Sequence, residues 1–513
     1  MIRNAAFLII IILAVAGGAF SQIGPPPSPP QGGQATPLPL SGRNQQSGSV
    51  TAIQLPGPGT TTSVNTINPS IEVQGLYGGS TTSTSTLPFD GKLSMRDAIE
   101  RALGYNLGPV GLNEMLRQAR GQDKVTRSAV LPNIAGTVTQ GAQQTNLRAA
   151  GLRISPGITG FPFPTIVGPF NYIDFRARLT QTVIDLTAIN NYRSSQQIVR
   201  ADEFSLQDAR DLTVLAVGGT YLQAIAAAAR IEAARAQLET ANALYKQTSE
   251  QRGVGLAAQI DVNRSQVQVL TQQQRLVSLQ NDLSKQKINL ARMTGLPAND
   301  QYELTDEIYF SAPPPLDLER ALKLAFEQRA DLKAAEAQVQ AAERNRAAAR
   351  AERLPSFSVN ADYGATGVNP AQSHGTFSVV GTVRLPIWQG GRTEGNIDQA
   401  EAALAQRRAE LSDLRGRIES DVRNAYLDLQ ASASQVEVAQ KNVEVTQDTL
   451  TLTRQKLEEG ISDNVAVVQA QDALANAHLD RINSIFAHNV AKLTLARAVG
   501  GAAENWSRFL TVK

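Results

Sequence analysis

The chain carries the same order of segments twice, once in residues 93–295 and again in residues 316–500. Each copy reads as a short helix, a polar helix ending in Leu-Pro, two alternating strands and two very long helices. The aligned stretches are 93–99 with 316–322 and 131–132 with 354–355 at an offset of 223, and 221–222 with 426–427 and 290–295 with 495–500 at an offset of 205. A unit of this size that occurs only twice is not a solenoid of short repeats. The sequence therefore predicts a duplicated half-molecule with internal pseudo-symmetry.

The two offsets also locate a difference in length between the copies. Because 223 exceeds 205 by 18, the first copy carries a net insertion of 18 residues, which the strand pattern places between Gln140 and Asn171. We expect the first repeat to span residues 91–310 and the second residues 311–501, followed by a C-terminal tail over residues 502–513.

The N-terminal residues predict export. Residues 1–21 combine one basic residue, Arg3, with an apolar run too short to span a bilayer, which predicts a signal peptide cleaved after Ser21. The sequence has no cysteine, so neither a disulfide nor a lipid-modified cysteine is expected. Residues 22–90 are rich in Pro, Gly, Ser and Thr, and they predict a disordered leader because they lack the apolar surface that would offset the entropy of ordering.

The remaining composition excludes two classes of protein. The 48 Lys and Arg residues nearly balance the 46 Asp and Glu residues, so nothing indicates a nucleic-acid partner. No stretch beyond the signal approaches the ~20 apolar residues of a transmembrane helix. Any crossing of a membrane is therefore expected to use strands.

Two very long helices dominate each copy. No proline interrupts residues 190–252 or residues 395–457, and about 60 residues at about 1.5 Å per residue would extend about 90 Å. Small and apolar residues at alternating spacings of three and four, from Ile231 to Thr248 and from Val436 to Thr453, predict coiled-coil-like packing. The expected fold class is mostly α with a small β part, built from duplicated strand pairs and long helical hairpins.

Four segments alternate apolar and polar residues and so predict strands of about ten residues, namely 133–140, 172–183, 356–363 and 377–385. In the second of these segments Ile173 and Phe175 share one face. The opposite, polar face of the predicted strands carries Asp174, Arg176, Arg178 and Arg384. These four residues are therefore candidates to line a watery lumen.

The strands admit two interpretations. A soluble sheet would show the same alternation, and the pattern alone favours it. Export, the expected lack of any further strand and a length of about ten residues favour an outer-membrane barrel. Four strands cannot close a barrel, because ~8 is the practical minimum, so the barrel must be shared between chains.

The turns that follow the long helices contain glycine. They are formed by Val254, Gly255 and Leu256 in the first copy and by Gly460 and Ile461 in the second. Glycine ends a helix by adopting a left-handed conformation, so both turns predict helical hairpins.

This order of elements, the Leu-Pro before each first strand and the segments 254–256 and 260–262 together resemble the TolC-like outer-membrane efflux protein family over roughly residues 93–500. The resemblance implies a trimer, in which three sets of four strands make a 12-stranded outer-membrane β-barrel continued by a periplasmic α-barrel. It also implies that the five tip residues, Val254, Gly255, Leu256, Gly460 and Ile461, contact a periplasmic adaptor protein that links to an inner-membrane transporter.

Some members of this family close the periplasmic end with rings of aspartate beyond the second tip. The matching positions here are Ala466 and Gln469, so the chain departs from that pattern. Asp463 is a nearby candidate for such a ring, and Asp261 is a candidate for a bond to a neighbouring helix. The alternative interpretation is that both carboxylates are plain solvated or capping groups.

Nothing in the sequence indicates catalysis. Two of the three histidines, His478 and His488, are ten residues apart on a helix, which is not a metal-ligand spacing. The chain lacks a phosphate-binding glycine loop and a nucleophile elbow. We expect no enzymatic activity, cofactor or metal, and we expect Trp388 to be an aromatic residue at the membrane interface.

The expected function is a passive exit duct in the outer membrane, with its helical part in the periplasm, that carries small molecules from an adaptor and pump to the outside. Its predicted partners are two further copies of the chain, the adaptor, the inner-membrane transporter and outer-membrane lipid, with no nucleic acid. Two alternatives remain open at this point. One is the outer-membrane component of a type I protein secretion system, and the other is a periplasmic coiled-coil scaffold that never enters a membrane.

Overall fold

The computed structural model of the 513-residue chain describes residues 48–54, 69–81, 89–149, 165–255, 257–298, 301–313, 315–459, 461 and 464–510. The predicted signal peptide and the tip and gate candidates Leu256, Gly460 and Asp463 lie outside these residues.

The helices follow the predicted order. They are α1 Met95–Tyr105, α2 Leu107–Ser128, α3 Leu186–Gly253, α4 Gln259–Thr294, α5 Leu318–Gln328, α6 Ala330–Ala351, α7 Arg392–Glu458, α8 Asn464–Val499 and α9 Ala502–Phe509. Helices α1 and α5 start at positions 95 and 318, an offset of 223, and α4 and α8 start at 259 and 464, an offset of 205. Both offsets read from the sequence thus recur in the helix bounds, as an internal duplication would require.

Capping side chains set the helix starts. The Ser94 hydroxyl accepts from the Asp97 backbone N–H at 3.1 Å in a capping box, and Asp317 Oδ1 accepts from the backbone N–H of Arg320 at 3.0 Å. Helix α3 begins four residues before its predicted start. There the carboxylate of Asp185 accepts from two backbone N–H groups of the first turn, at 2.8 and 3.0 Å, which would otherwise have no partner.

The strands are β1 Val50–Gln54, β2 Pro69–Val73, β3 Lys92–Leu93, β4 Asn133–Asn146, β5 Ile166–Ile184, β6 Glu303–Leu304, β7 Ser356–Gly367 and β8 His374–Arg384. The four predicted strands form one antiparallel sheet in the order β4-β5-β7-β8. The expectation of no further strand was wrong, because β1 pairs with β2 and β3 pairs with β6. Strand β5, at 19 residues, is also longer than the predicted ten.

Two stretches of the leader are ordered, which corrects the prediction of disorder for residues 48–54 and 69–81. After the β1–β2 pair the chain makes a short 3-10 helix, Gly75–Gly78. Tyr77 in this turn is buried, and Ile71 packs against the core of its unit. The approach requires a glycine on α3, because a Cβ at Gly219 would lie 2.5 Å from Ile71 Cγ1. A few apolar residues among many small polar ones thus suffice to dock this segment.

The chain divides into two compact units. Among the described residues, the first unit contains 121–149, 165–196 and 340–404, and therefore the four-stranded sheet. Hydroxyl groups tie its helices together: Ser195 Oγ donates to Asp123 Oδ1 at 2.6 Å, and Ser194 Oγ donates to the carbonyl of Ala341 at 2.9 Å. Ala349 belongs to a small buried cluster in this unit.

The second unit holds the main hydrophobic core, built on α1, α3, α4 and α8. At its centre Tyr221 is fully buried, and its hydroxyl lies 2.9 Å from the Leu93 carbonyl and 2.7 Å from Asp306 Oδ2. Leu222 beside it is 1% exposed, whereas Leu427 at the equivalent position of the second copy is 61% exposed. Equivalent leucines of the two copies therefore differ in burial: the first is buried within the chain and the second is exposed.

One helix contains a stretch that would be long and apolar enough to cross a membrane. This stretch lies in α3, and 72% of it is buried inside the structure. Its burial is that of a helix in a protein core. The sequence-based exclusion of such a stretch was therefore too broad, because alanine-rich core helices share the composition of membrane spans.

A network of ion pairs joins four helices of the second unit. The buried guanidinium of Arg329 contacts Asp331 at 2.7 Å and Asp421 at 3.1 Å, and Arg497 pairs with Asp208. Buried ion pairs add little net stability over well-packed apolar residues, but removing one partner leaves an uncompensated charge. The network therefore fixes which helices pack together.

A second polar cluster anchors the segment between the two copies. Lys492 Nζ donates to the Ser311 carbonyl at 2.6 Å, and His488 Nε2 donates to the same carbonyl at 3.0 Å. His488 Nδ1 lies 3.3 Å from Ser432 Oγ. Burial lowers the pKa of His488 to about 4 and that of Lys492 to about 8. His488 is therefore neutral at pH 7, while Lys492 keeps its proton.

This cluster predicts acid sensitivity. Because the pKa of His488 is about 4 when folded and ~6.5 when unfolded, its contribution is complete above pH 6.5 and is lost as the pH falls towards 4. Between pH 7 and pH 4.5 we expect a loss of about 2–3 kcal/mol of unfolding free energy from this group. Denaturant unfolding of the wild type and of His488→Gln, followed by circular dichroism at both pH values, measures the difference.

The variant should lose less stability than the wild type over this range. His374→Gln, at the first residue of β8, is the matched control and should behave as the wild type. Equal losses in wild type and His488→Gln would show that His488 does not drive the acid sensitivity.

Candidate functional site

One face of the four-stranded sheet is apolar and exposed. Side chains on this face alternate with polar ones along every strand, and the register brings them into line. The exposed apolar residues on this face include Ile134, Val138, Phe175, Tyr363, Phe377, Val379 and Val383. Phe377 is 78% exposed and Ile134 is 76% exposed. An apolar surface of this extent is typical of an interaction with lipid or protein.

The opposite face of the sheet is polar and carries a charged cluster. Arg176 on β5 contacts Asp174 at 3.2 Å and forms a second ion pair with Asp362 on β7. Its guanidinium also lies 3.3 Å from Thr376 Oγ1 on β8. Three adjacent strands are thus joined through one arginine, whose planar donors suit two carboxylates at once.

The structure brings some of the predicted lumen residues together. Asp174 and Arg176 are in contact, as described above. Arg178 is exposed on the same face, opposite Asp362 in the β5–β7 register. Arg384 lies on this face at the end of β8, opposite Ser356. The partner of Arg176 on β7, Asp362, was not singled out, although its position in the alternation placed it on the polar side.

The corner after β8 exposes an aromatic side chain. Trp388 is 87% exposed and Ile387 is 93% exposed. The corner then turns through Gly390 and Gly391, whose φ angles of 60° and 83° are in the left-handed region that favours glycine. Helix α7 begins at the next residue, so these glycines position the strand relative to its helix.

The two helical turns expose apolar residues. Val254 is 72% exposed, and Gly255 adopts a φ of 79° with its N–H donating to the Arg252 carbonyl at 2.9 Å. In the second copy Ile461 is 71% exposed, and its N–H donates to the Lys456 carbonyl at 2.8 Å. The left-handed conformation predicted for glycine is thus present at Gly255, whereas Gly460 of the second turn lies outside the described residues.

Of the two candidate gate residues, Asp261 is the one that lies within the described residues. Asp261 lies 3.7 Å from Arg264 on its own helix, so its described ion pair does not reach a neighbouring helix. Ala466 and Gln469 lie in the first turns of α8. Asp463 is outside the described residues. Within the described chain, the contacts of Asp261 are those of a residue in the first turn of a helix.

Two stripes of exposed apolar residues escaped the sequence reasoning. On α7 the stripe includes Val438, Val445 and Leu452, each seven residues from the next and more than half exposed. On α4 it includes Ile260, Val267, Leu270 and Val277. Heptad spacing at exposed positions is typical of a helix that packs against a partner helix. The seven-residue spacing of these side chains was the available signal in the sequence. The buried seam between partner helices has the same spacing, so only the exposure of the side chains in the structure distinguishes the two.

No group of three or more potential metal ligands occurs within the described residues. His374 is the first residue of β8 rather than part of the preceding loop. His488 is engaged in the buried cluster with Lys492. His478 lines a cavity between helices. The three histidines are therefore spread over separate places in the fold.

The comparison with protein families gives two matches to one model. The model of "Outer membrane efflux protein" matches residues 114–296 and residues 321–501, one match in each copy.

Several curated proteins are similar along most of the chain. The toluene efflux pump outer membrane protein TtgC of Pseudomonas putida is 24% identical over 396 residues, which cover 74% of this chain and 78% of that protein. The outer membrane protein TolC of Escherichia coli is 23% identical over 337 residues, which cover 63% of this chain and 68% of TolC.

Solved structures share the fold. The outer membrane protein VceC of Vibrio cholerae superposes with a TM-score of 0.68 at 18% identity, covering 79% of this chain and 96% of VceC. The CmeC outer membrane channel of Campylobacter jejuni gives a TM-score of 0.69 at 16% identity, covering 88% of this chain and 95% of CmeC. At these identities the likeness concerns the fold.

Proposed function

The chain belongs to the outer membrane efflux protein family and is an outer-membrane efflux channel, and we propose that three copies of it assemble the exit duct of a tripartite system. In this role it accepts small molecules from a periplasmic adaptor and an inner-membrane pump. The family has a transport role rather than an enzymatic one. The alternative of a scaffold that never enters a membrane does not fit this family.

The open sheet supports assembly. Strands β4 and β8 are at the two ends of the sheet, and among the described residues neither has a second neighbour. Unpaired backbone groups are too costly to leave in a bilayer, so spanning strands must form a closed barrel. Four strands are too few to close. Three chains would supply twelve strands, with β4 of one chain paired to β8 of the next.

The helical stripes support the same assembly. Helix α4 of the first copy and α7 of the second each expose an apolar heptad stripe. In a ring of three chains, α4 of one chain would meet α7 of its neighbour, and the two stripes would cover each other by coiled-coil packing. The exposed Leu427 lies on α7 as well. The same ring of three chains would thus close the β-barrel and bury the apolar stripes of α4 and α7.

The sheet faces divide between lipid and lumen in this proposal. The apolar face, with Phe377 and Val379, would contact lipid, and Trp388 would lie at the membrane interface. Asp174, Arg176, Arg178 and Arg384 would line the water-filled lumen. Ion pairing of Arg176 with two aspartates supports this, because charged groups inside an outer-membrane barrel face the polar interior.

Substitution on the two faces tests the proposal. Val379→Arg places a charge on the lipid face near the middle of β8, at a cost of about 2–4 kcal/mol per chain. We expect few heat-modifiable trimers in outer-membrane fractions. Ser378→Arg, its neighbour on the polar face, is the matched control and should assemble normally. Equal assembly of the two variants would contradict the assigned faces.

The hairpin turns are the proposed contact with the adaptor. The exposed apolar surface at these turns comes from Val254 and Ile461, and Gly255 turns the chain without a side chain. Leu256 and Gly460 adjoin these residues in sequence. Surface of this kind is suited to packing against another helical turn. Asp463 and Asp261 remain proposed gate residues in this region. Export by a cleaved signal peptide and the absence of lipidation likewise remain proposals.

A charge at the first turn tests this contact. Val254→Asp should abolish efflux, because an apolar contact would have to bury a carboxylate, while trimers remain in the membrane. Val125→Asp, at a similarly exposed position on α2, is the control. Drug-accumulation assays and outer-membrane fractionation measure the two properties. Wild-type efflux in Val254→Asp would remove this turn from the adaptor contact.

A further inference from the structure

A cavity of about 520 Å³ lies inside the second unit, lined by α3, α4, α7, α8 and Ile308 of the linker. This volume is in the range of sites that bind small organic molecules. We propose that the cavity is a binding site for an amphipathic organic anion that carries a hydrogen-bond donor. The proposal concerns the helical unit alone and does not depend on the channel role.

The apolar part of the lining comes from small residues on one side and larger ones on the other. Alanines on α3 create the space, and aliphatic side chains of α7, α8 and the linker close it: Ala229, Ala233, Ala241, Ile308, Leu450, Ile482 and Ile485. A surface of this kind favours the apolar body of a ligand through the hydrophobic effect.

Two amides on the lining have polar atoms without a partner. Gln272 is 5% exposed, and its Oε1 makes no hydrogen bond within the described residues. The Oε1 of Gln237 on α3 is also buried without a partner. Buried acceptors of this kind cost free energy unless a donor reaches them. A ligand with an N–H or O–H group would supply that donor.

The charged side chains on the lining favour an anion. Arg454 on α7 and Arg481 on α8 are exposed residues of the cavity lining, and they supply two positive charges there. Asp472 is the carboxylate among the lining residues, and it accepts from Gln268 Nε2 at 2.6 Å. Burial, together with the charge of Arg481, lowers the pKa of His478, which is therefore neutral at pH 7. Guanidinium groups bind carboxylate and sulfonate groups well.

Occupancy would have a structural consequence. The lining includes residues from both helical hairpins, so one bound molecule would contact α3 and α4 as well as α7 and α8. Because a ligand that binds only the folded state stabilises it, the bound anion would hold the two hairpins in their present packing.

The probe for the test is 1-anilinonaphthalene-8-sulfonate, which has an apolar body, one sulfonate and one N–H donor. Fluorescence titration uses the full-length protein in lipid nanodiscs, with empty nanodiscs subtracted. The wild type should give saturable binding of one probe per chain and a higher thermal midpoint with the probe. The double variant Arg454→Gln/Arg481→Gln should bind about tenfold more weakly, because it loses the charge-assisted contacts.

Two further variants address the space and the amide. Ala236→Phe, at an exposed position on the cavity lining, should fill the space and abolish saturable binding. Gln272→Leu should weaken binding severalfold without lowering the thermal midpoint of the free protein. Arg235→Gln is the control, because this arginine pairs with Glu232 on the surface of α3 and does not line the cavity.

The outcomes are decisive in either direction. Loss of saturable binding in Ala236→Phe, weakening in the arginine double variant and wild-type binding in Arg235→Gln support the site. Wild-type binding in Ala236→Phe, or no saturable binding in the wild type, overturns it and leaves the cavity to water.

Discussion

The proposed assembly depends on backbone hydrogen bonds that the described residues of one chain do not complete. Strands β4 and β8 each have one paired side, and the described residues supply nothing for the other. Every backbone N–H and C=O removed from water needs a partner, and lipid offers none. In the proposed assembly, other copies of the chain pair with these outer strands.

The helices face a related constraint. The apolar seam between partner helices is buried inside the chain at positions such as Ile231 and Val436. A second set of apolar residues on α4 and α7 remains exposed. A helix with two apolar stripes packs against two neighbours, as in a ring of helices rather than a single pair. In the proposed ring, duplication would supply half of the neighbours, and further copies of the chain would supply the rest.

The duplication also explains where the two copies diverge. Leu222 is buried in the main hydrophobic core, which also includes residues of α1 and of the β1–β2 segment, whereas Leu427 at the matching position is exposed. The same local pattern therefore belongs to a core in one copy and to an exposed surface in the other. Divergence of this kind follows from the different surroundings of the two copies.

Local and periodic features could be predicted from the sequence. The capping box at Ser94, the offsets of 223 and 205 and the alternation around Arg176 all depend on residues close in sequence. Features that depend on distant partners could not. Docking of Ile71 against Gly219 and the pairing of Arg176 with Asp362 required the fold itself.

The most direct measurement of the central claim is electron cryomicroscopy of the full-length particle in lipid nanodiscs. The account predicts a threefold particle in which β4 of each chain is hydrogen-bonded to β8 of the next, which closes twelve strands. A monomeric particle, or one in which each chain covers its own sheet edges, would contradict it.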